Sequence, residues 1–323
     1  MRQKKTDLFY SKVMLFGEYT IIQDSMGLTI PYSRFSGQLR FINKQSYTDL
    51  KLATLSGSQI QQYAGYIQSL HKRGELLCRF DVGRLENDLR KGLYFESTIP
   101  EGYGLGSSGA LVSALYSRYV SDGKIETHSR LSHAEIAQLK RCFALLESYF
   151  HGTSSGIDPL ICYLKHPLFL QNKDTLSPIH IPRRSISSED AIFLINSGKP
   201  GMTAPLVRLY MDKCAQPDFF ERITNELIPL NNSCIQSLLK GEIESFYDSV
   251  HKLSAFQLEY FSEMIPECIR AVWQQGVNSQ LYTLKLCGSG GGGYMLGFTR
   301  HFSQVATQLG EAGFEVIPVY RRR

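Results

Sequence analysis

The chain reads as a mixed fold of helices and strands, with room for two ordinary domains or one large one. Three observations carry that reading. A strand-like run, Leu93 to Ile99, passes through a glycine-rich loop, Pro100 to Ala110, into a run that can be helical, Leu111 to Val120. From Ala204 to about Val277 apolar residues recur at helical spacing, and strands at Leu281 to Leu286, Tyr294 to Phe298 and Phe314 to Tyr320 follow that block. Asn172 to Asp190, between the two regions, is polar and rich in Ser, Pro and Arg, which makes it the best linker candidate.

Taken in order, Lys12 to Phe16 is a buried strand that ends at Gly17-Glu18-Tyr19, and Thr20-Ile21-Ile22 resumes the apolar pattern. Gly27 to Ile30 and Gly37 to Ile42 are two further strand candidates. Ser58 to His71 has helical spacing through Ile60, Tyr63, Ile67 and Leu70. In the Leu93 to Ile99 run, Leu93, Phe95, Ser97 and Ile99 share one side, and Pro100 blocks further strand. Ser107 and Ser108 stand where the next helix begins, beside unpaired N–H groups and the positive end of the helix dipole. A glycine-rich loop feeding such a turn can cradle phosphate. Glycine turns of this kind also occur without any ligand, and the loop alone leaves both readings open.

Gly104, Gly106 and Gly109 spell the dinucleotide fingerprint G-x-G-x-x-G, whereas the absence of a following Gly-Lys-Ser/Thr excludes the Walker loop. A dinucleotide oxidoreductase would need an acidic residue after the next strand, and Asp122 and Glu126 have roughly that spacing. His133 to Phe150 is an amphipathic helix with Ile136, Leu139, Phe143, Leu146 and Phe150 on one stripe. Glu147 borders that stripe, and a carboxylate there needs a partner or a function. Asp158 opens the apolar run Pro159 to Leu164, a place where Asp usually caps a helix. Ala191 to Asn196 is a strand, Gly198 to Thr203 a loop, and Phe302 to Leu309 a helix.

Composition excludes several classes. Apolar residues at 43% and charged residues at 20% are ordinary for a soluble globular protein. No apolar run reaches the ~18–20 residues that span a bilayer. Met1 to Lys5 carries charge with no apolar core behind it, so a cytoplasmic location is expected. The seven cysteines are scattered and odd in number, which argues for reduced thiols and against a disulfide framework or a zinc site. A net charge of +5 suits anionic small molecules and is far from a nucleic-acid signature. Arg321 to Arg323 reads as a solvated tail.

Three segments together resemble the motifs of the GHMP small-molecule kinases, in that family's order: Lys12-Val-Met-Leu-Phe-Gly-Glu18-Tyr19, the loop Pro100 to Ala110 with its Gly-Leu-Gly-Ser-Ser, and Lys285-Leu-Cys-Gly-Ser-Gly-Gly-Gly-Gly293. Within the family, His151-Gly-Thr-Ser-Ser-Gly-Ile-Asp158 is similar to the mevalonate kinase stretch that carries the catalytic aspartate, with Glu147 at the spacing of the metal-binding glutamate. The Gly-Glu-Tyr string is closer to bacterial phosphomevalonate kinases.

The resemblance implies an α+β fold in two domains. Residues 1–185 would form an N-terminal nucleotide-binding domain like ribosomal protein S5 domain 2, and 186–323 a ferredoxin-like domain. It also implies ATP and Mg²⁺ as cofactors and a small-molecule partner, with no nucleic acid, no membrane, and room for a homodimer. The expected reaction is phosphorylation of the 5-hydroxyl of mevalonate; phosphomevalonate kinase and a non-catalytic ligand-binding paralogue are the alternatives. By matching positions, Asp158 and Lys12 would be catalytic. Ser33, Ser97, Gly102, Tyr103, Gly104, Leu105, Gly106, Ser107 and Ser108 would hold the nucleotide. Ser108 and Glu147 would hold the metal, and Glu18, Tyr19 and Thr203 would face the acceptor.

Overall fold

The computed structural model describes residues 7–42, 49–122, 124–125, 131–182 and 187–321. The readings made at Met1 to Lys5, Glu126, Arg322 and Arg323 lie outside the described residues.

Strand β1 (Phe9–Phe16) leads through a 3-10 turn at Thr20–Gln23 into β2 (Gly27–Phe41). Then come α1 (Leu50–Lys72), β3 (Arg79–Phe80), α2 (Val82–Arg90), β4 (Leu93–Ser97), α3 (Ser107–Tyr119), β5 (Val120–Asp122), α4 (His133–His151) and α5 (Ile157–Leu164). The short strands β6 (Leu168–Leu170) and β7 (Leu176–Pro178) precede β8 (Ala191–Asn196). Next are α6 (Thr203–Cys214), α7 (Pro217–Arg222), α8 (Ile228–Lys240), α9 (Ile243–Tyr260) and α10 (Glu267–Ser279), with a π-helical turn at Ile223–Leu227 between α7 and α8. The chain closes with β9 (Tyr282–Leu286), β10 (Tyr294–Thr299), α11 (Phe302–Glu311) and β11 (Val316–Arg321).

The chain forms two compact units. The first comprises Met1–Lys12, Pro31–Pro100 and Gly106–His166. In it β2 pairs with β4 in antiparallel register, Gly37 opposite Ser97 and Phe41 opposite Leu93. Helices α1, α3, α4 and α5 bury Ile60, Tyr63, Val112, Leu115, Leu139, Phe143, Leu160 and Ile161 against one another. The second comprises Val13–Ile30, Glu101–Leu105 and Pro167–Arg323. Its four-stranded antiparallel sheet runs β11-β8-β10-β9, which counted within the sheet is the ferredoxin-like order 4-1-3-2. Helix α10 carries Trp273, the single tryptophan, fully buried with its indole N–H donating to Ser254 Oγ at 2.9 Å.

Several expectations change. Gly27 to Ile30 and Gly37 to Ile42 belong to one strand of 15 residues. Pro31 lies between the stretch of β2 that pairs with β6, over Gly27–Thr29, and the stretch that pairs with β4, over Gly37–Phe41. Thr20-Ile21-Ile22, where the apolar pattern resumes, forms a 3-10 turn. The polar stretch read as a linker contains β7, which pairs with β6. Helix α1 begins at Leu50, well before Ser58, where Asp49 accepts a hydrogen bond from Leu52 N and caps it.

Candidate active site

In the first unit, the start of α3 is brought against α4 and α5. Asp158 lies inside the first turn of α5 and makes no cap; Gly156, in the left-handed region at φ 73°, takes the cap position. This sets aside the capping reading. Asp158 Oδ2 instead pairs with Lys12 Nζ at 3.1 Å. The ammonium sits on β1 with its side chain only 7% exposed, while the carboxylate is 31% exposed and reaches solvent.

Two glycines make this pair possible. A Cβ on Gly109 would stand 2.7 Å from the carbonyl carbon of Asp158, so α3 and α5 can approach only because that position has no side chain. Gly106, at φ 75°, caps α3, and a Cβ there would stand 2.9 Å from Lys12 Cγ. Ser113 locks the two helices together: its hydroxyl is shared between Gly109 O at 2.8 Å and Pro159 O at 2.6 Å.

Glu147 lies on the inner face of α4 and is 3% exposed. A capping box between Ser132 and Glu135 starts that helix. Tyr63 and Tyr66 of α1 tie down its far end by donating to Leu146 O at 3.1 Å and Leu145 O at 2.9 Å. The Glu147 carboxylate accepts from Ser108 Oγ at 3.1 Å and from Ser154 Oγ at 2.5 Å. Burial first, then the negative charge of Asp158, push its pKa up to about 7 against the pull of the two hydroxyls and Lys12. His151 Nε2 lies 3.1 Å from Ser108 Oγ.

Lys12, Ser108, Glu147 and Asp158 are thus brought together. Ser154 and His151 are additional members that sequence reasoning quoted but gave no role. Their signal was the turn that must return the chain from α4 to α5, whose hydroxyls can reach only what borders it. The oxygen-only set of Glu147, Ser108 and Ser154 suits a hard cation such as Mg²⁺. Among the described residues no group of three or more His, Cys, Asp or Glu could hold a metal. Ser33 is exposed on β2, and Ser97, half-buried, accepts from Ile99 N at 3.0 Å.

In the second unit, Gly102 to Leu105 packs on the loops after β8 and β9. Gly102 O accepts from Gly201 N at 2.8 Å, and the Tyr103 ring meets Tyr294 at 5.3 Å. Tyr19, at φ 64°, donates its hydroxyl to Ser289 O at 2.5 Å and packs on Tyr210. Ser289 Oγ donates in turn to Thr203 Oγ1 at 3.2 Å. Glu18 is bound to Lys285 Nζ at 2.6 Å, with both side chains at most 2% exposed. Lys285 went unassigned in the sequence, although a lysine within the apolar strand Tyr282–Leu286 requires a counter-charge.

Comparison with known proteins agrees with this architecture. Residues 72–166 match the family model for the GHMP kinases N terminal domain. None of the curated proteins matches the sequence. Among solved structures, mevalonate kinase of L. major in complex with R-mevalonate is 16% identical, with 99% of this chain and 97% of that one covered at a TM-score of 0.62. Phosphomevalonate kinase of Streptococcus pneumoniae, in complex with phosphomevalonate and AMPPNP, is 14% identical over 99% and 100% of the two chains, at 0.61. Galactokinase of Lactococcus lactis complexed with galactose is 14% identical over 98% and 94%, also at 0.61. At such identities the likeness is one of fold, and it extends equally to kinases of different acceptors. Residues 72–166 thus match the GHMP kinases N terminal domain, and nearly the whole chain has the fold of these solved kinases.

Proposed function

We propose that the protein is an ATP- and Mg²⁺-dependent kinase that phosphorylates the 5-hydroxyl of mevalonate. The observation that carries this reading is the Lys12–Asp158 pair beside the start of α3, with the buried Glu147 carboxylate across from it. The loop from Gly102 to Ser108 offers backbone N–H groups to the ATP phosphates, and Ser33 and Ser97 would contact the nucleotide. Ser108 and Glu147 would hold Mg²⁺, which when bound neutralises charge on the phosphate oxygens.

Asp158 accepts the proton of the acceptor hydroxyl as its oxygen attacks the γ-phosphorus and the bond to ADP breaks. Lys12 holds the Asp158 carboxylate in place and offsets negative charge on the transferred oxygens. Tyr19 and Thr203, joined through Ser289, are assigned to the acceptor. Glu18, taken up by Lys285, would serve there by fixing the turn that carries Tyr19. Residues 1–185 would be the nucleotide-binding domain and 186–323 the second domain.

The Gly17-Glu18-Tyr19 string favours a second reading, phosphomevalonate as acceptor. Incubation with ATP, Mg²⁺ and a panel of mevalonate, 5-phosphomevalonate, galactose and homoserine, followed by ADP release, distinguishes the two. Turnover of mevalonate is expected. Turnover of 5-phosphomevalonate alone replaces the first reading with the second, and ADP release with none of them rejects both.

A further inference from the structure

The turn between α4 and α5 holds a hydroxyl to which the phosphoryl-transfer chemistry gives no role. Ser154 is half-buried in that turn. Its hydroxyl donates to Glu147 Oε2 at 2.5 Å, and its oxygen accepts from Gly156 N at 3.0 Å. A serine hydroxyl has one hydrogen and two lone pairs, so two of its three bonding positions are already taken. Gly156 seats the turn against α4: its φ is 73°, and a Cβ there would stand 2.2 Å from Lys140 O and 2.6 Å from Ala144 N. The same glycine starts α5, whose first turn carries Asp158.

We propose that Ser154 is a positioning residue for the cation site: by anchoring Glu147 Oε2 it fixes Oε1 beside Ser108. This inference rests on the reading of Glu147 and Ser108 as Mg²⁺ ligands. Ser154 acts through Glu147 and is not itself a ligand. Its hydrogen is committed to the carboxylate and one lone pair to the backbone of the turn. It also ties the metal carboxylate to the backbone that begins α5, and so to the element that carries Asp158.

Distance divides the work between the two serines. A hydroxyl bound to an ionised carboxylate ordinarily lies at about 2.5–2.7 Å. Ser154 is within that range, whereas Ser108 stands off at 3.1 Å and also meets His151 Nε2 at 3.1 Å. Ser154 therefore makes the tight contact. The looser Ser108 can turn its oxygen to a cation while Glu147 stays in place. With Glu147 only 3% exposed, bulk water is a poor substitute for a lost donor. Removing the Ser154 hydroxyl takes a partner from Oε2 and frees the carboxylate to rotate. Partners that orient a metal ligand in this way are typically worth about 10–100-fold in metal affinity.

The test follows thermal melting of the intact chain by circular dichroism at pH 8 with AMPPNP present, from EDTA through a titration with Mg²⁺. The readout is the Mg²⁺ concentration that gives half the full rise in melting temperature, and it needs no turnover. Ser154→Ala should raise that concentration about 10–100-fold. Ser154→Thr keeps the hydroxyl and should stay close to the natural chain. Ser148→Ala removes a neighbouring hydroxyl that bonds Ala144 O at 2.7 Å, and should leave the Mg²⁺ concentration unchanged even where it lowers the melting temperature. If the natural chain responds to Mg²⁺ and Ser154→Ala responds at the same concentration, the positioning role is overturned and the metal reading stands. A natural chain that does not respond overturns both. Equal shifts in Ser154→Ala and Ser148→Ala would mean a general loosening of α4 and would also overturn the role. Where alanine unfolds the chain, Ser154→Cys decides on the same readout, because a thiol is a weak donor of similar shape; an unshifted Mg²⁺ concentration there overturns the role as well.

Discussion

Replacing Glu147 with Gln tests whether this carboxylate is built for a cation. The side chain keeps its size, and its amide can accept from one of Ser108 and Ser154 and donate to the other. Only the charge is lost. In the folded chain the carboxyl titrates at about 7, against an ordinary value of 4.5. At about 1.4 kcal/mol per unit, the ionised form costs the metal-free protein about 3 kcal/mol. Between those two values the folded state keeps a proton that the unfolded chain has already released. Stability therefore falls as pH rises from 4.5 to 7, and the deficit is complete above that range.

Glu147→Gln should accordingly be more stable than the natural protein at pH 8 in EDTA, by up to about 3 kcal/mol, and the gap should close toward pH 4.5. Mg²⁺ should stabilise the natural protein at pH 8 and stabilise the variant much less. Urea unfolding followed by far-ultraviolet circular dichroism measures each of these stabilities. A variant that is less stable at pH 8 without metal, or a gap independent of pH, would refute the reasoning.

Three further outcomes follow from the geometry. Asp158 makes no cap, so Asp158→Asn should leave the dichroism spectrum intact while kcat falls by ~10²–10⁴-fold; a normally folded variant with near-native turnover would remove Asp158 from catalysis. Gly109→Ala forces a methyl against the Asp158 backbone and should cost about 1–3 kcal/mol together with a lower kcat, whereas Gly65→Ala, with nothing within 4 Å, should be neutral or stabilising in a melting curve. Lys285→Met strands the Glu18 carboxylate in the interior and should cost about 3–5 kcal/mol in urea unfolding; adding Glu18→Gln should restore most of it, and no restoration would mean the pair contributes through packing alone.

The parts of the fold that sequence alone made legible are those whose signal is periodic. The stripe of α4 and the strands β8, β9 and β10 stand where their apolar spacing puts them. Helix α2 was invisible because its nine residues are largely polar. It is held by Asp81, which caps it, and by Asp88, which takes Arg118 at 2.8 Å and Tyr119 at 3.0 Å; both Asp88 partners are distant in sequence. The candidate site divides in the same way. Gly106 to Ser108 announced itself by composition. That Asp158 would bind Lys12 instead of capping its helix depends on α3 and α5 meeting at Gly109, a tertiary event no local pattern encodes. Nor does spacing reveal that Glu18 would be consumed by Lys285, since the two lie 267 residues apart.

The buried Trp273 determines what optical experiments on this protein can report. It is the chain's only indole, and it belongs to the second unit, as do its hydrogen-bond partners on Ser254. Selective excitation of tryptophan therefore follows the loosening of the ferredoxin-like sheet and its helices. The first unit, with Lys12, Ser108, Glu147 and Asp158, contributes tyrosines such as Tyr63, Tyr66 and Tyr116 but no indole emission. Emission red-shift and dichroism are thus probes of different content in one chain. If their unfolding midpoints coincide, the units melt together; if Glu147→Gln moves the dichroism midpoint and leaves the emission midpoint in place, the two units are separable in stability.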